Sequence, residues 1–122
     1  MLIYSNIQIK KKYISEDTLV LMNRGLADIL VINLLKNAIV HNSDGGMIEI
    51  ELSNAHWTIK NTGPRKAIPA DRLFDRFYKG SKTGGSFGLG LPLVKKICDY
   101  YDFGIEYWFE TKWHSFTIIF SS

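Results

Sequence analysis

Asn33, Asn37 and His41 recur at four-residue steps. On a helix turning 100° per residue they drift slowly, so one face presents two carboxamides and an imidazole together. A buried amide without a partner costs ~1–3 kcal/mol, so these groups need something to bond. Water or neighbouring backbone is the bland alternative. Asn37 offers a neutral oxygen suited to Mg²⁺, a hard ion that keeps several waters and is commonly shared with phosphates. A second feature is residues 79–87, KGSKTGGSF, which run through Gly88-Leu89-Gly90-Leu91-Pro92 into a helical pattern. A glycine loop entering a helix turns free backbone N–H groups and the positive dipole end toward an anion. Lys79 and Lys82 flank that loop and can neutralise phosphate charge. The third is Asn61-Thr62-Gly63, where a strand pattern breaks and Asn61 can offer a donor and an acceptor to a base edge.

These candidates need one scaffold. The chain has 122 residues, enough for one domain with a real core and too few for two. Its 46% hydrophobic and 22% charged content is that of a globular protein, and a net charge of +3 is too mild to argue for nucleic acid. No apolar run approaches the ~20 residues of a membrane span, and no signal-peptide pattern opens the sequence. The single cysteine, Cys98, excludes an internal disulfide and sits in an apolar helical pattern, as a core thiol would. His41, His56 and His114 form no metal-ligand spacing.

In chain order, residues 2–14 read as a half-exposed strand ending at a polar turn over 15–17, and residues 18–22 as a brief second strand. Asn23 is placed to cap a helix over 24–42, with Leu26, Ile29, Leu30, Leu34 and Ala38 as its apolar stripe. Two alternating runs, 47–54 and 56–60, form a hairpin through 53–55, with His56 facing solvent. Asn61 onward breaks the strand, and two of the three prolines mark a loop over 62–70. Residues 71–78 can form two helical turns, and 79–87 a mobile loop. A helix over 93–101 follows, with Pro92 in its first turn and Leu93, Val94, Ile97 and Cys98 inward. Residues 104–110 and 113–121 close the chain as a hairpin around Thr111-Lys112. The pattern implies an α+β two-layer sandwich, one sheet with helices on a single face.

Four of these stretches together resemble a known set. NLLKNAIVHN at 33–42 resembles the N box of sensor histidine kinases, RLFDRFYKG at 72–80 their F box, and FGLGLPLVKKIC at 87–98 their G2 box. Asn61-Thr62-Gly63 sits where the G1 box belongs. The resemblance runs from about residue 20 to the C-terminus. It implies the Bergerat ATP-binding fold shared with gyrase and the heat-shock chaperone ATPases, a mixed, mostly antiparallel sheet with a lid over the nucleotide.

Carried onto this sequence, the resemblance implies that Asn37 ligates Mg²⁺ and Asn33 contacts the phosphate side of ATP. His41 would touch nucleotide from the end of the same helix. Lys79 would reach the terminal phosphate, sharing the catalytic role with Asn33. Phe87, Gly88, Leu89, Gly90 and Leu91 would form the phosphate-facing turn and helix start. In the G1 box, Gly63 would line the site and Asn61 would face the adenine amino group. There the family usually has Asp, so the bond lacks the charge assistance that roughly doubles its strength. Arg65 stands in the register of the second G1 glycine, Val40 precedes His41, and Ser86-Phe87 replaces the first G2 glycine. Hydrolysing relatives carry a Glu where Asn33 stands, and an amide cannot take the proton of an attacking water.

The family's phosphoacceptor histidine opens a helix and is followed by Glu or Asp. His41, His56 and His114 are followed by Asn, Trp and Ser. Residues 1–122 are thus expected to be the catalytic and ATP-binding domain of a larger kinase. Its partners would be the histidine-bearing dimerisation domain and a response regulator, with no contact to nucleic acid or membrane. It would be monomeric when isolated and cytoplasmic, whether or not the whole kinase is anchored in the inner membrane. Two other readings fit the same fold: a degenerate nucleotide-binding or docking module without phosphotransfer, and an anti-sigma-type protein-serine kinase.

Overall fold

The computed structural model describes residues 7–13, 20–53, 55–69 and 87–120. In chain order these give β1 (Gln8–Tyr13), α1 (Arg24–Val40), β2 (Met47–Leu52), β3 (His56–Thr62), α2 (Phe87–Tyr100), β4 (Gly104–Glu110) and β5 (Trp113–Ile119). The five strands form one sheet in the order β1-β2-β3-β5-β4. β1 runs parallel to β2 and every other pair is antiparallel. The α+β sandwich with a mixed, mostly antiparallel sheet is therefore the fold.

Strand alternation decides which side the helices cover. Ile48, Ile59, Phe116 and Ile118 are buried and share the core with Leu30, Leu34 and Ala38 of α1 and Leu91, Val94, Ile97 and Cys98 of α2. Each fully buried large side chain stabilises the fold by ~1.5–3 kcal/mol, so this layer holds both helices on one face. The opposite face is polar, with Lys10, Glu49, Lys60 and Ser115 in successive register across four strands and exposed Trp108 beside Ser115.

α1 starts where its cap dictates: Asn23 has extended backbone, and its side chain accepts from Leu26 N. It ends at Val40, not 42. Its stripe is narrower than the pattern suggests, since Ile29 lies exposed while the polar Asn37 is buried within the stripe. β3 runs on through Asn61 and Thr62, which pair with His114 and Trp113 of β5, so the strand does not break at Asn61. β2 and β5 stop sooner than the alternation implies, at Leu52 and Ile119. Residues 20–23 form no strand. His56 is half-buried, its Nδ1 bonded to Ser53 Oγ at 3.0 Å, because Ser53 N also bonds the His56 carbonyl and brings the two residues together.

α2 begins at Phe87, which puts Pro92 in the helix interior and not in its first turn. Pro92 has no N–H to offer the Gly88 carbonyl four residues earlier. Leu93 is 42% exposed and does not point inward. The buried stripe is Leu91, Val94, Ile97 and Cys98, and one residue off that stripe is 100° away. Burial pushes the Cys98 thiol up to about 11, as a core thiol requires. The helix over 71–78 and the loop over 79–87 lie outside the described residues, apart from Phe87.

Candidate functional site

The three polar positions of α1 emerge at different depths. Asn33 is half-buried and its Nδ2 donates to the Ile29 carbonyl at 2.7 Å, one turn back along the same helix. That fixes the amide and turns Oδ1 toward α2, where a Cβ on Gly90 would stand 3.2 Å away. The first turn of α2 thus lies directly against the polar face of α1, and a side chain at position 90 would crowd Asn33. The first N–H groups of a helix have no intrahelical acceptor, so this contact brings an anion-seeking helix end to the carboxamide face.

Asn37, one turn further on, is only 7% exposed, and its Oδ1 accepts no hydrogen bond. A buried carbonyl-type oxygen left without a donor forfeits ~1–3 kcal/mol unless something positive meets it. A hard divalent cation fits that donor chemistry, being bound by neutral amide oxygens together with water and phosphate. No group of three acidic, histidine or cysteine side chains forms a preassembled metal cage among the described residues.

His41 closes the helix as its C-cap, and burial pushes its imidazole down to about 4, with nearby His114 adding to the shift. The His41 carbonyl lies 2.6 Å from where a Cβ on Gly63 would be, and the His114 ring and Asn61 Nδ2 flank the same point at 3.4 and 3.5 Å. Only glycine passes between these groups. Asn61 is 3% exposed, and its Nδ2 donates to the Thr62 carbonyl at 2.9 Å. A carbonyl can only accept, so the nitrogen is fixed there and Oδ1 remains the acceptor. The corner formed by His41, Asn61, Gly63 and His114 is therefore narrow, with Asn61 and His114 buried and the Asn61 amide oriented.

Two groups hold this corner that sequence spacing did not single out. Asn42 and Thr62, twenty residues apart, bond side chain to side chain and share the backbone of Met47. His114 Nε2 bonds the Pro64 carbonyl at 2.6 Å, and its Nδ1 meets Tyr107 Oη at 2.7 Å. Burial holds the His114 imidazole below its ordinary value, opposed by the bond to Pro64. No local periodicity links residues 20 or 50 positions apart, so only the sheet register reveals them.

Of the expected site residues, Asn33 and Gly90 meet at the helix contact, and Asn61, Gly63 and His41 meet at the corner, with Asn37 between them along α1. Phe87, Gly88 and Leu89 open α2. Leu91 sends its side chain into the core, so its side chain cannot face a phosphate. Lys79 and Lys82 lie outside the described residues. No helix among the described residues is long and apolar enough to cross a membrane.

Residues 23–121 match the family described as histidine kinase-, DNA gyrase B- and HSP90-like ATPase. The heme sensor protein HssS of Staphylococcus aureus strain JH9 is 40% identical over 90 residues, covering 70% of this chain and 20% of HssS. The chain thus spans about a fifth of the length of the curated relatives it matches. The nucleotide-free catalytic domain of histidine kinase ThkA superposes with a TM-score of 0.81 at 26% identity, over 94% of this chain and 78% of that one. ThkA in complex with the response regulator protein TrrA gives 0.77 at 24% identity, over 94% of this chain and 34% of that one.

Proposed function

Because the chain belongs to the histidine kinase-, DNA gyrase B- and HSP90-like ATPase family, we propose that it is the catalytic, ATP-binding domain of a two-component sensor histidine kinase. It binds Mg-ATP and donates the γ-phosphoryl group to a histidine on a separate dimerisation domain. The orphaned Oδ1 of Asn37 is the observation that carries this reading, since a buried acceptor without a donor is a site that a cation would complete. Mg²⁺ held there would neutralise phosphate charge and orient the phosphates of the substrate.

The family resemblance supports the remaining roles, together with position for those residues that are described. Asn33 steadies the phosphate side opposite the first turn of α2, and residues 87–90 meet the phosphates through backbone N–H groups. Lys79 is assigned to the terminal phosphate. Asn61 Oδ1 accepts from the adenine amino group, with Gly63 and His41 beside it. The amide at position 33, already bonded to its own helix, cannot itself take a proton from water. Imidazole needs no base because its neutral form is already a nucleophile, so positioning and charge stabilisation supply most of the catalysis. The HssS likeness supports a sensor kinase as the parent protein, and the complex of ThkA with TrrA supports a response regulator as the downstream partner. We place the domain in the cytoplasm, monomeric by itself, without contact to nucleic acid or membrane.

Calorimetric titration of Mg-ATP into the chain tests this reading, with Asn37→Ala as the comparison. Binding that needs Mg²⁺ and disappears in Asn37→Ala, with the melting temperature preserved, is the expected result. Equal affinity in both chains removes the metal assignment. No binding at millimolar Mg-ATP turns the reading to a docking module. Transfer to a supplied histidine domain should then give an acid-labile phosphate, whereas an acid-stable one would mark a serine kinase.

A further inference from the structure

Resting on the nucleotide reading above, we propose that Tyr107 and His114 are positioning residues for the base end of the site, acting as a two-side-chain relay that pins residues 64–68 behind Asn61 and Gly63. The relay runs in one direction. Ile68 N–H donates to Tyr107 Oη at 3.1 Å, Tyr107 O–H lies 2.7 Å from His114 Nδ1, and His114 Nε2 lies 2.6 Å from the Pro64 carbonyl. The Pro64 carbonyl can only accept, so Nε2 carries the proton; Nδ1 is then the acceptor and the phenol its donor. That assignment takes His114 as neutral. Its burial, at 6% exposed, favours that form.

The place of the relay matters more than its length. His114 pairs directly with Asn61 across β3 and β5, and its ring lies 3.4 Å from the Cβ position of Gly63. Tyr107 packs on Phe116 at 5.1 Å, which anchors it in the core. The loop leaving β3 is therefore held at two backbone points, Pro64 and Ile68, by side chains rooted in β4 and β5. Between those points Arg65, Lys66 and Ala67 are exposed. Tying both ends is what keeps the loop from collapsing into the corner or swinging off it. The pinned loop sets the width of the base site, whereas the phosphate end depends on α1 and α2.

That division supplies the test. In the full chain, Mg-ATP and Mg-tripolyphosphate, which has no base, are titrated into wild type, Tyr107→Phe, His114→Phe and the double variant. Tyr107→Phe should weaken Mg-ATP roughly tenfold, about the worth of one hydrogen bond to backbone. Tripolyphosphate affinity should stay within about twofold, and the double variant should lose no more than the worse single one, as members of one relay do. Equal losses for both ligands would mean a general structural role and overturn the proposal, as would unchanged Mg-ATP affinity or additive losses. A wild type that binds neither ligand overturns the nucleotide reading itself, and the relay with it. Should the variants fail to fold, exchange of the Ile68 amide in wild type decides: it should slow several-fold with Mg-ATP and not with Mg-tripolyphosphate. If both ligands or neither slow it, the loop does not answer to the base and the proposal falls.

Discussion

Thr62 Oγ1 donates to Asn42 Oδ1 at 2.6 Å and joins the end of β3 to the residues just past α1. The same hydroxyl accepts from Met47 N at 2.9 Å, while Asn42 Nδ2 donates to the Met47 carbonyl at 3.0 Å and Asn42 Oδ1 accepts from Ser43 N at 2.7 Å. Three elements meet in one satisfied network. It holds the helix of Asn37 and His41 in register with the strand of Asn61, so the two ends of the candidate site are tied through it.

Thr62→Val keeps the side-chain shape and removes the hydroxyl. Met47 N–H loses its acceptor and Asn42 Oδ1 one of its donors, both in buried surroundings. The expected loss is ~1–3 kcal/mol of folding stability, the usual cost of an unsatisfied buried group. Denaturant unfolding reads it directly: the midpoint falls with an unchanged slope. An unmoved midpoint would show that water already serves those groups.

The helix termini follow the same logic at α2. Asp102 has φ 58°, and Phe103 N bonds the Cys98 carbonyl while Asp102 N bonds that of Asp99. This is a Schellman cap with Asp in the left-handed position that glycine fills at no steric cost. Asp102→Gly is expected to stabilise the domain by ~0.5–1 kcal/mol, seen as a rise in melting temperature. A fall would mean that the carboxylate contributes more than the backbone strain costs.

Much of the fold was legible because its signals are local. The Asn23 cap, the hairpin turn at 111–112, and the alternation of β2, β4 and β5 each rest on neighbours in sequence. Pro92 misled because a proline marks a helix's first turn more often than its interior, and here the helix starts earlier. Leu93 misled because its apolar character alone does not say where the buried stripe ends, and the stripe of Leu91, Val94, Ile97 and Cys98 leaves it outside. In the candidate site, the polar spacing of Asn33, Asn37 and His41 could be read directly. The burial that orphans Asn37 Oδ1 could not, since it depends on α2 and the sheet. Asn42, Thr62, Tyr107 and His114 were invisible as a group: each looks ordinary until register sets them face to face.

Acid should expose the buried imidazoles. His41 is held at about 4 and His114 below its ordinary value, both chiefly by burial. The unfolded chain takes up these protons as pH falls through about 6.5, while the native state does not. Unfolding therefore binds protons, and stability declines as pH falls from about 6.5 toward about 4, then ceases to decline on this account. Denaturant midpoints at pH 8, 7, 6 and 5 should be level above 7 and drop below it. A flat profile down to pH 5, before carboxylates contribute strongly, would mean these rings are not held neutral.

Asn61→Asp separates the two duties of that residue. Asn61 Nδ2 donates to the Thr62 carbonyl at 2.9 Å in a position 3% exposed. A carboxylate there sets oxygen against oxygen and buries a charge, so the unliganded domain should lose ~1–3 kcal/mol and melt several degrees lower. With Mg-ATP the balance reverses, because the adenine amino group would donate to a charged acceptor, a bond about twice as strong. The rise in melting temperature on adding saturating Mg-ATP should therefore be larger in Asn61→Asp than in wild type. A smaller rise would take Asn61 away from the amino group. An unliganded melting temperature equal to wild type would show that the bond to Thr62 contributes nothing to the strand end.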